Sequence, residues 1–217
     1  SVEAIMALNP DLILIEALTQ GHLTQALSNL QVPIAAVRAT SVQDVKDGLT
    51  LVGTIVNEKD QTKNAIEALD NKIEAAMVPQ RDSHSVLILI ADAQHNTYAA
   101  LPESYPGEIA NLMNLSNVAA GLEQSGPYPG FTLFSPEQAI TSNPDIILAI
   151  SPAPAPAPPL SSMLPMIPGY NSLSALTQGR VAEIDPDLYL SSPGPRIAEA
   201  IVELGTLLDS MEFSQGN

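Results

Sequence analysis

The first fourteen residues of the chain return as a pattern in its second half. Ser1-Val-Glu3-Ala-Ile-Met-Ala-Leu-Asn9-Pro10-Asp11-Leu-Ile-Leu14 is matched by Ser135-Pro-Glu137-Gln-Ala-Ile-Thr-Ser-Asn143-Pro144-Asp145-Ile-Ile-Leu148, with Ser, Glu and Asn-Pro-Asp at the same offsets. The physical unit is a short helix, a tight Asn-Pro-Asp turn that stops it, and a buried strand. A weaker echo follows, with Leu27-Ser-Asn-Leu30 leading to residues 34–37 and Leu173-Ser-Ala-Leu176 leading to 181–184. A chain that repeats one unit so far apart builds two lobes of one design.

Periodicity fills in the rest. Short apolar runs at 12–15, 34–37, 86–91, 146–150 and 181–184 predict buried strands. Helical patterns lie between them at 22–30, 42–56, 59–78, 107–114, 136–142 and 195–210, with Ser41 and Ser135 as capping residues. Strands alternating with helices imply an α/β protein with a mostly parallel sheet. The longest helix, from about Glu58 to Val78, carries Ala65, Leu69, Ile73 and Ala76 on one face and ends at Pro79. The expected organisation is an N-terminal lobe at 1–57, a helix at 58–79 and a C-terminal lobe at 80–217. The run Pro152–Pro159 reads as extended polyproline, leaving a strand's carboxyl end, and the residues after it as one lone helix with little core.

Composition excludes several functions. With 24 Asp+Glu against 8 Lys+Arg in 217 residues, the net charge of −16 repels a phosphate backbone. Zero Cys removes disulfides, thiolate metal sites and cysteine nucleophiles. No apolar run reaches the roughly 18–20 residues of a membrane span. The chain starts on Ser, without a charged stretch and apolar run after it, so it reads as processed or cut. No dinucleotide-binding, P-loop, nucleophile-elbow or zinc-protease motif occurs. His22, His84 and His95 are isolated in sequence, so neither a metal site nor a resident cofactor is expected.

Most of the eight aromatic rings crowd into segments that read as loops. Tyr98 and Tyr105 follow the strand ending at Ala91, Tyr128 and Phe131 precede Ser135, and Tyr189 precedes Ser191-Ser-Pro-Gly-Pro-Arg196. Rings at strand ends suit a cleft for a flat or bulky organic ligand, or they pin their loops to the body. Glu3 and Glu137 fall in the first turn of a helix, where the dipole and free N–H groups favour a carboxylate. Equivalent positions in two lobes would also place two carboxylates on one outer face, spaced to grip two cations of a partner.

The paired Ser-x-Glu…Asn-Pro-Asp units, the long helix between them, Leu51-Val-Gly53, Gly179-Arg-Val181 and Gly194-Pro-Arg196-Ile-x-Glu-Ala resemble the class III substrate-binding proteins of ABC importers. That family carries ferric siderophores, haem and cobalamin. The resemblance implies two Rossmann-like lobes joined by a single long α-helix, with the N-terminal lobe incomplete, because family members open with a strand and a ligand-facing loop ahead of the first glutamate. It places Glu3 and Glu137 on the glutamates that dock onto permease arginines. Phe131, Tyr189, Tyr98 and Tyr105 fall where ligand contacts are usual. It implies a periplasmic or extracellular protein, with a lipid anchor in some precursors.

The leading expectation is therefore a binding protein, not an enzyme, that captures a ferric siderophore in an inter-lobe cleft and hands it to a permease. A helical strut predicts modest closure. Few Arg and Lys favour a neutral or cationic complex, such as a hydroxamate-type ferric siderophore or a corrinoid. Haem would need an axial ligand such as Tyr98 or His95. Two other classes stay open: an enzyme using Asp92, Glu103 and Glu108, with its carboxylates inside the cleft, and a scaffold module whose cleft its own side chains fill.

Overall fold

Where a strand is apolar at every position, both of its faces must be covered, and residues 86–90 and 146–150 meet that demand at the centre of the larger of two units. A computed structural model describes residues 1–77, 82–152, 156–191, 194–211 and 213. Its contacts divide the chain into Ser1–Ile66 and Glu67–Asn217.

The first unit holds α1 (Val2–Ala7), β1 (Ile13–Glu16), a 3-10 turn at Gly21–Leu23 running into α2 (Thr24–Ser28), β2 (Ile34–Val37) and α3 (Val42–Ile55). β1 and β2 pair in parallel, with Ile13 opposite Ile34. Its core is small: Ile13, Ile15 and Leu27, with Ile5, Leu30, Val32 and Ile34 packed against them. Ser41 caps α3 by accepting from the Asp44 N–H at 3.1 Å. The next helix, α4 (Lys59–Ala76), runs through the boundary between the units. Gly53 lets α3 close on the start of α4, since a Cβ there would lie 1.7 Å from Thr62 Oγ1.

The second unit contains β3 (His84–Ala91), β4 (Thr97–Ala100), α5 (Tyr105–Leu112), β5 (Leu115–Asn117), β6 (Phe131–Leu133), α6 (Pro136–Ser142), β7 (Ile146–Ile150), α7 (Leu160–Met163), α8 (Ser174–Thr177), β8 (Val181–Ile184), α9 (Pro186–Tyr189) and α10 (Ile197–Ser210). The strands form one sheet in the order β6-β4-β3-β7-β8, and β5 pairs with the first three residues of β3. β3, β5, β7 and β8 are mutually parallel. Val86–Ile90 and Ile146–Ile150 are buried throughout, each large aliphatic side chain contributing about 1.5–3 kcal/mol. The apolar face of α10 supplies Ile197, Ile201, Leu204 and Leu208 to the interior.

The sequence repeat is a structural repeat. Ser1 and Ser135 each cap their helix, accepting from the N–H three residues on at 3.2 and 3.3 Å. Asn9 (φ 45°) and Asn143 (φ 38°) both take the left-handed conformation that ends the helix. Ile147 stands opposite Val181 as Ile13 stands opposite Ile34, and the Ile13 and Ile147 N–H groups donate to the Pro33 and Arg180 carbonyls at 2.9 and 3.0 Å. The copies differ in their neighbours. β7 is paired on both edges and its Leu148 is 1% exposed, whereas among the described residues β1 pairs only with β2 and its Leu14 is 50% exposed.

Two expectations are corrected. The sheet is mostly parallel as expected, but Thr97–Ala100 and Phe131–Leu133, which read as loop, add two antiparallel strands on the β3 side. Neither Thr97-Tyr-Ala-Ala100 nor Phe131-Thr-Leu133 is a continuous run of large apolar residues, so neither stands out as a buried strand. The residues after Pro159 form more than one lone helix: α7, α8, β8, α9 and α10 all lie there. The polyproline expectation at 153–155 and the helix stop at Pro79 fall outside the described residues; Pro159 itself has φ −64° and ψ 145°, the polyproline geometry.

Candidate functional site

Open α/β sheets present ligands at the carboxyl ends of their parallel strands. In the second unit that rim starts with Asp92, directly after β3. Its carboxylate accepts from the Gln94 and Asn96 N–H groups at 2.9 Å, the Asn96 side chain at 2.8 Å and the Tyr98 hydroxyl at 3.0 Å. The Asn96 side chain is the largest influence holding the carboxyl below its ordinary range, ahead of the opposing effect of burial. Burial and the neighbouring Asp92 raise the Tyr98 phenol. The Tyr98 ring meets Tyr128 edge-on at 5.0 Å. Gly126, at φ 86°, lets the chain pass this ring, since a Cβ would lie 2.6 Å from it. His95, at φ 66°, is exposed in the same turn.

Beside it, after β7, Ser151 donates to the Glu183 carboxylate and accepts from the Leu160 N–H at 2.7 Å. The other Glu183 oxygen accepts from the Ser161 N–H at 2.9 Å. Glu183 thus closes the base of the proline-rich segment. Sequence reasoning did not find this clasp; its one signal is a Ser placed directly before the proline run.

The four aromatic candidates sit in regular elements, not in loops: Tyr98 on β4, Tyr105 opening α5, Phe131 on β6 and Tyr189 ending α9. All four rings are buried. The Tyr189 hydroxyl donates to the Ala200 carbonyl at 2.6 Å, tying α9 to α10. The Tyr105 hydroxyl has no hydrogen-bond partner among the described residues, and burial raises its phenol. Tyr98 and Tyr128 are brought together; Glu103 and Glu108 lie near α5, away from the Asp92 turn in sequence, and no bond joins them to it. Among the described residues no group of three or more His, Asp and Glu side chains is placed to hold a metal ion.

Glu3 and Glu137 occupy the same place in their helices, two residues after a capping Ser. Both are exposed. In each, the residue's own backbone N–H is the main influence lowering the carboxyl below its ordinary range, followed by the hydroxyl of Ser1 or Ser135. Both carboxylates are therefore favoured in the ionised form, and the Ser1 amino terminus adds to that at Glu3. α6 adds a capping box, in which the Gln138 side chain accepts from the Ser135 N–H at 2.8 Å.

One structural pair carries the repeat's Asp. Asp145 Oδ2 accepts from the Ser85 N–H at 2.9 Å and its hydroxyl at 2.7 Å, and the Asp145 N–H donates to Ser85 Oγ at 2.9 Å. Arg180, buried beneath β8, donates to the Asp145 carbonyl at 2.8 Å. Asp11, its counterpart, is exposed.

Comparison with known proteins agrees with this architecture. The chain is 22% identical over 212 residues to the uncharacterised ABC transporter substrate-binding lipoprotein YvrC of Bacillus subtilis (strain 168), covering 94% of this chain and 63% of that protein. It is 20% identical over 205 residues to the cobalamin-binding protein of Halobacterium salinarum, covering 94% of this chain and 54% of the relative. The chain thus spans less than two thirds of the length of these relatives. The apo structure of the periplasmic haem-binding protein RhuT from Roseiflexus sp. RS-1 superposes with a TM-score of 0.79 at 22% identity, covering 95% of this chain and 78% of that one. Residues 1–191 match the family described as periplasmic binding protein, and the chain belongs to that family.

Proposed function

We propose that the chain is the substrate-binding component of an ABC importer, which captures an iron complex, a ferric siderophore, and delivers it to a membrane permease. The observation that carries this reading is the repeated Ser-capped helix with an exposed, ionised glutamate, found twice in a chain of the periplasmic binding protein family. Glu3 and Glu137 are the proposed docking points for permease arginines, because an ionised carboxylate suits a bidentate guanidinium.

The cargo reading rests on charge. The described cations of the second unit are Lys72, Arg180 and Arg196; Arg180 is buried against Asp145 and Arg196 pairs with Glu199 at 2.9 Å. Such a surface favours a neutral or cationic complex over a highly anionic catecholate, which fits a hydroxamate-type chelate. Tyr98, bonded to Asp92, is the proposed ligand-contact position nearest the rim; Phe131, two residue pairs further along β4 opposite Ala100, Tyr105 and Tyr189 would act by shaping the wall. The second reading, cobalamin or haem, draws on what the similar proteins bind and on the Tyr98 phenol as an axial ligand.

An enzymatic reading is weaker. The Asp92 carboxylate is fully engaged in closing its own turn, and the similar proteins are binding proteins. We place the protein in the periplasm or on the cell surface. No helix among the described residues is long and apolar enough to cross a membrane.

Equilibrium dialysis of the chain against ferric hydroxamates, a ferric catecholate, cobalamin and haem, read by visible absorption, tests the reading. Retention of a ferric hydroxamate is expected. Retention of haem or cobalamin alone moves the cargo to the second reading, and retention of nothing overturns the assignment.

A further inference from the structure

Glu137 forms one wall of a groove of about 330 Å³ whose remaining lining is Val118, Leu122, Phe134, Gln138, Thr141 and Ser142. That is the liquid volume of about ten waters, enough for a large side chain and part of its neighbour. Phe134 is buried and forms part of the floor, Leu122 is exposed on one side, and Glu137 is the one charged residue of the lining. An exposed carboxylate at the edge of a groove that has Val118, Leu122 and Phe134 in its lining is complementary to a cation that has an apolar group beside it.

The energetics require something besides the charge. Glu137 is exposed in the free chain, and an ion pair that keeps its water on docking changes affinity by only about one and a half- to fivefold. A large aliphatic side chain taken out of water is worth about tenfold or more. The other copy of the repeat supports the same division of labour. Three residues after the glutamate, on the same helical face, Met6 is 60% exposed and Ile140 44% exposed. Each copy thus offers a carboxylate together with a partly exposed large apolar side chain.

We propose that the groove beside Glu137 takes a large apolar side chain of the permease, adjacent to the cation that Glu137 engages, and that this apolar contact supplies most of the docking affinity at α6. The inference rests on the permease reading above. It predicts a partner segment in which Arg or Lys lies next to Leu, Ile, Met or Phe.

The test is docking of the full chain to its ABC permease reconstituted in lipid nanodiscs, measured by biolayer interferometry. Thr141→Trp fills the groove from an exposed helix position, Leu122→Ser removes an apolar wall, Glu137→Gln removes the charge, and Glu103→Gln serves as a distant charge control. Thermal melting of each variant checks the fold. Thr141→Trp and Leu122→Ser are each expected to weaken docking about tenfold or more with little dependence on salt, and Glu137→Gln by no more than about fivefold, an effect that salt abolishes. Parent-like docking by Thr141→Trp and Leu122→Ser, with Glu137→Gln weakened, overturns the groove inference and leaves the permease reading standing. If the parent does not dock, or if Glu3→Gln/Glu137→Gln together with the groove variants dock like the parent, the permease reading fails as well.

Discussion

Replacing Asp145 by Ala should destabilise the protein far more than the same change at Asp11, although the two occupy the same position in the repeat. Asp145→Ala removes two charge-assisted bonds from Ser85, at 2.9 and 2.7 Å, and leaves the Ser85 N–H and hydroxyl half-buried without that acceptor. Hydrogen bonds to a charged group contribute about 1.5–3 kcal/mol each and are not additive at one oxygen, so the expected loss is about 2–4 kcal/mol. For a unit of this size that corresponds to about 5–15 °C in melting temperature. Ser85→Ala keeps the backbone bond and should cost about 1–2 kcal/mol. Asp11 is exposed, and Asp11→Ala should stay within about 0.5 kcal/mol. Urea unfolding followed by circular dichroism reads all four proteins, including the Ser85→Ala/Asp145→Ala double variant, whose loss should be smaller than the sum of the singles. A loss at Asp145 no larger than at Asp11, or strictly additive singles, refutes the stabilising role of the Ser85–Asp145 pair.

The same aspartate sets a pH dependence. Burial pushes its carboxyl up, but the Ser85 N–H and hydroxyl, His84 and Arg180 together bring it below its ordinary value. A lowered native pKa stabilises above about pH 4 and loses that stabilisation as pH falls through the native value, so the parent's acid unfolding should be steeper below pH 4 than that of Asp145→Asn, read by urea midpoints across pH 2–6. Gly53→Ala should lower the melting temperature through the contact with Thr62, at a cost of about 1–3 kcal/mol, because an added Cβ has no room between α3 and α4. Tyr189→Phe, which removes the hydroxyl's bond to the Ala200 carbonyl inside α10, should cost about 0.5–1.5 kcal/mol in the same assay while the far-ultraviolet spectrum stays unchanged. Glu3→Gln and Glu137→Gln should leave cargo retention in dialysis unchanged, since both carboxylates point to solvent.

The sequence made the strongly patterned parts legible. β2, β7, β8 and α6 lie at the residues that periodicity assigns, because each is an apolar run or a capped helix bounded by turn residues. The repeat told that Glu3 and Glu137 share one local geometry, down to the left-handed Asn9 and Asn143. It could not tell that β1 and β7 differ in neighbours, because Leu14 and Leu148 are the same residue and only tertiary pairing buries the second. β4 escaped notice for the same reason: Thr97, Tyr98, Ala99 and Ala100 have no alternation, and what makes them a strand is pairing with Leu89–Ala91 and Phe131–Leu133. Misreading β4 and β6 as loops also made Tyr98 and Phe131 look like loop aromatics. The groove at Glu137 joins residues 118–122 to 134–142, a juxtaposition that no local motif encodes.

The central claim is capture without chemistry, and the most direct measurement is recovery of the ligand after binding. The chain is dialysed against a ferric hydroxamate, separated from free ligand, unfolded, and the released compound is weighed by mass spectrometry and its visible spectrum recorded. The account predicts stoichiometric retention and release of the complex with unchanged mass and spectrum. A released compound of altered mass, or no retention of any of the metal chelates tried, would contradict it.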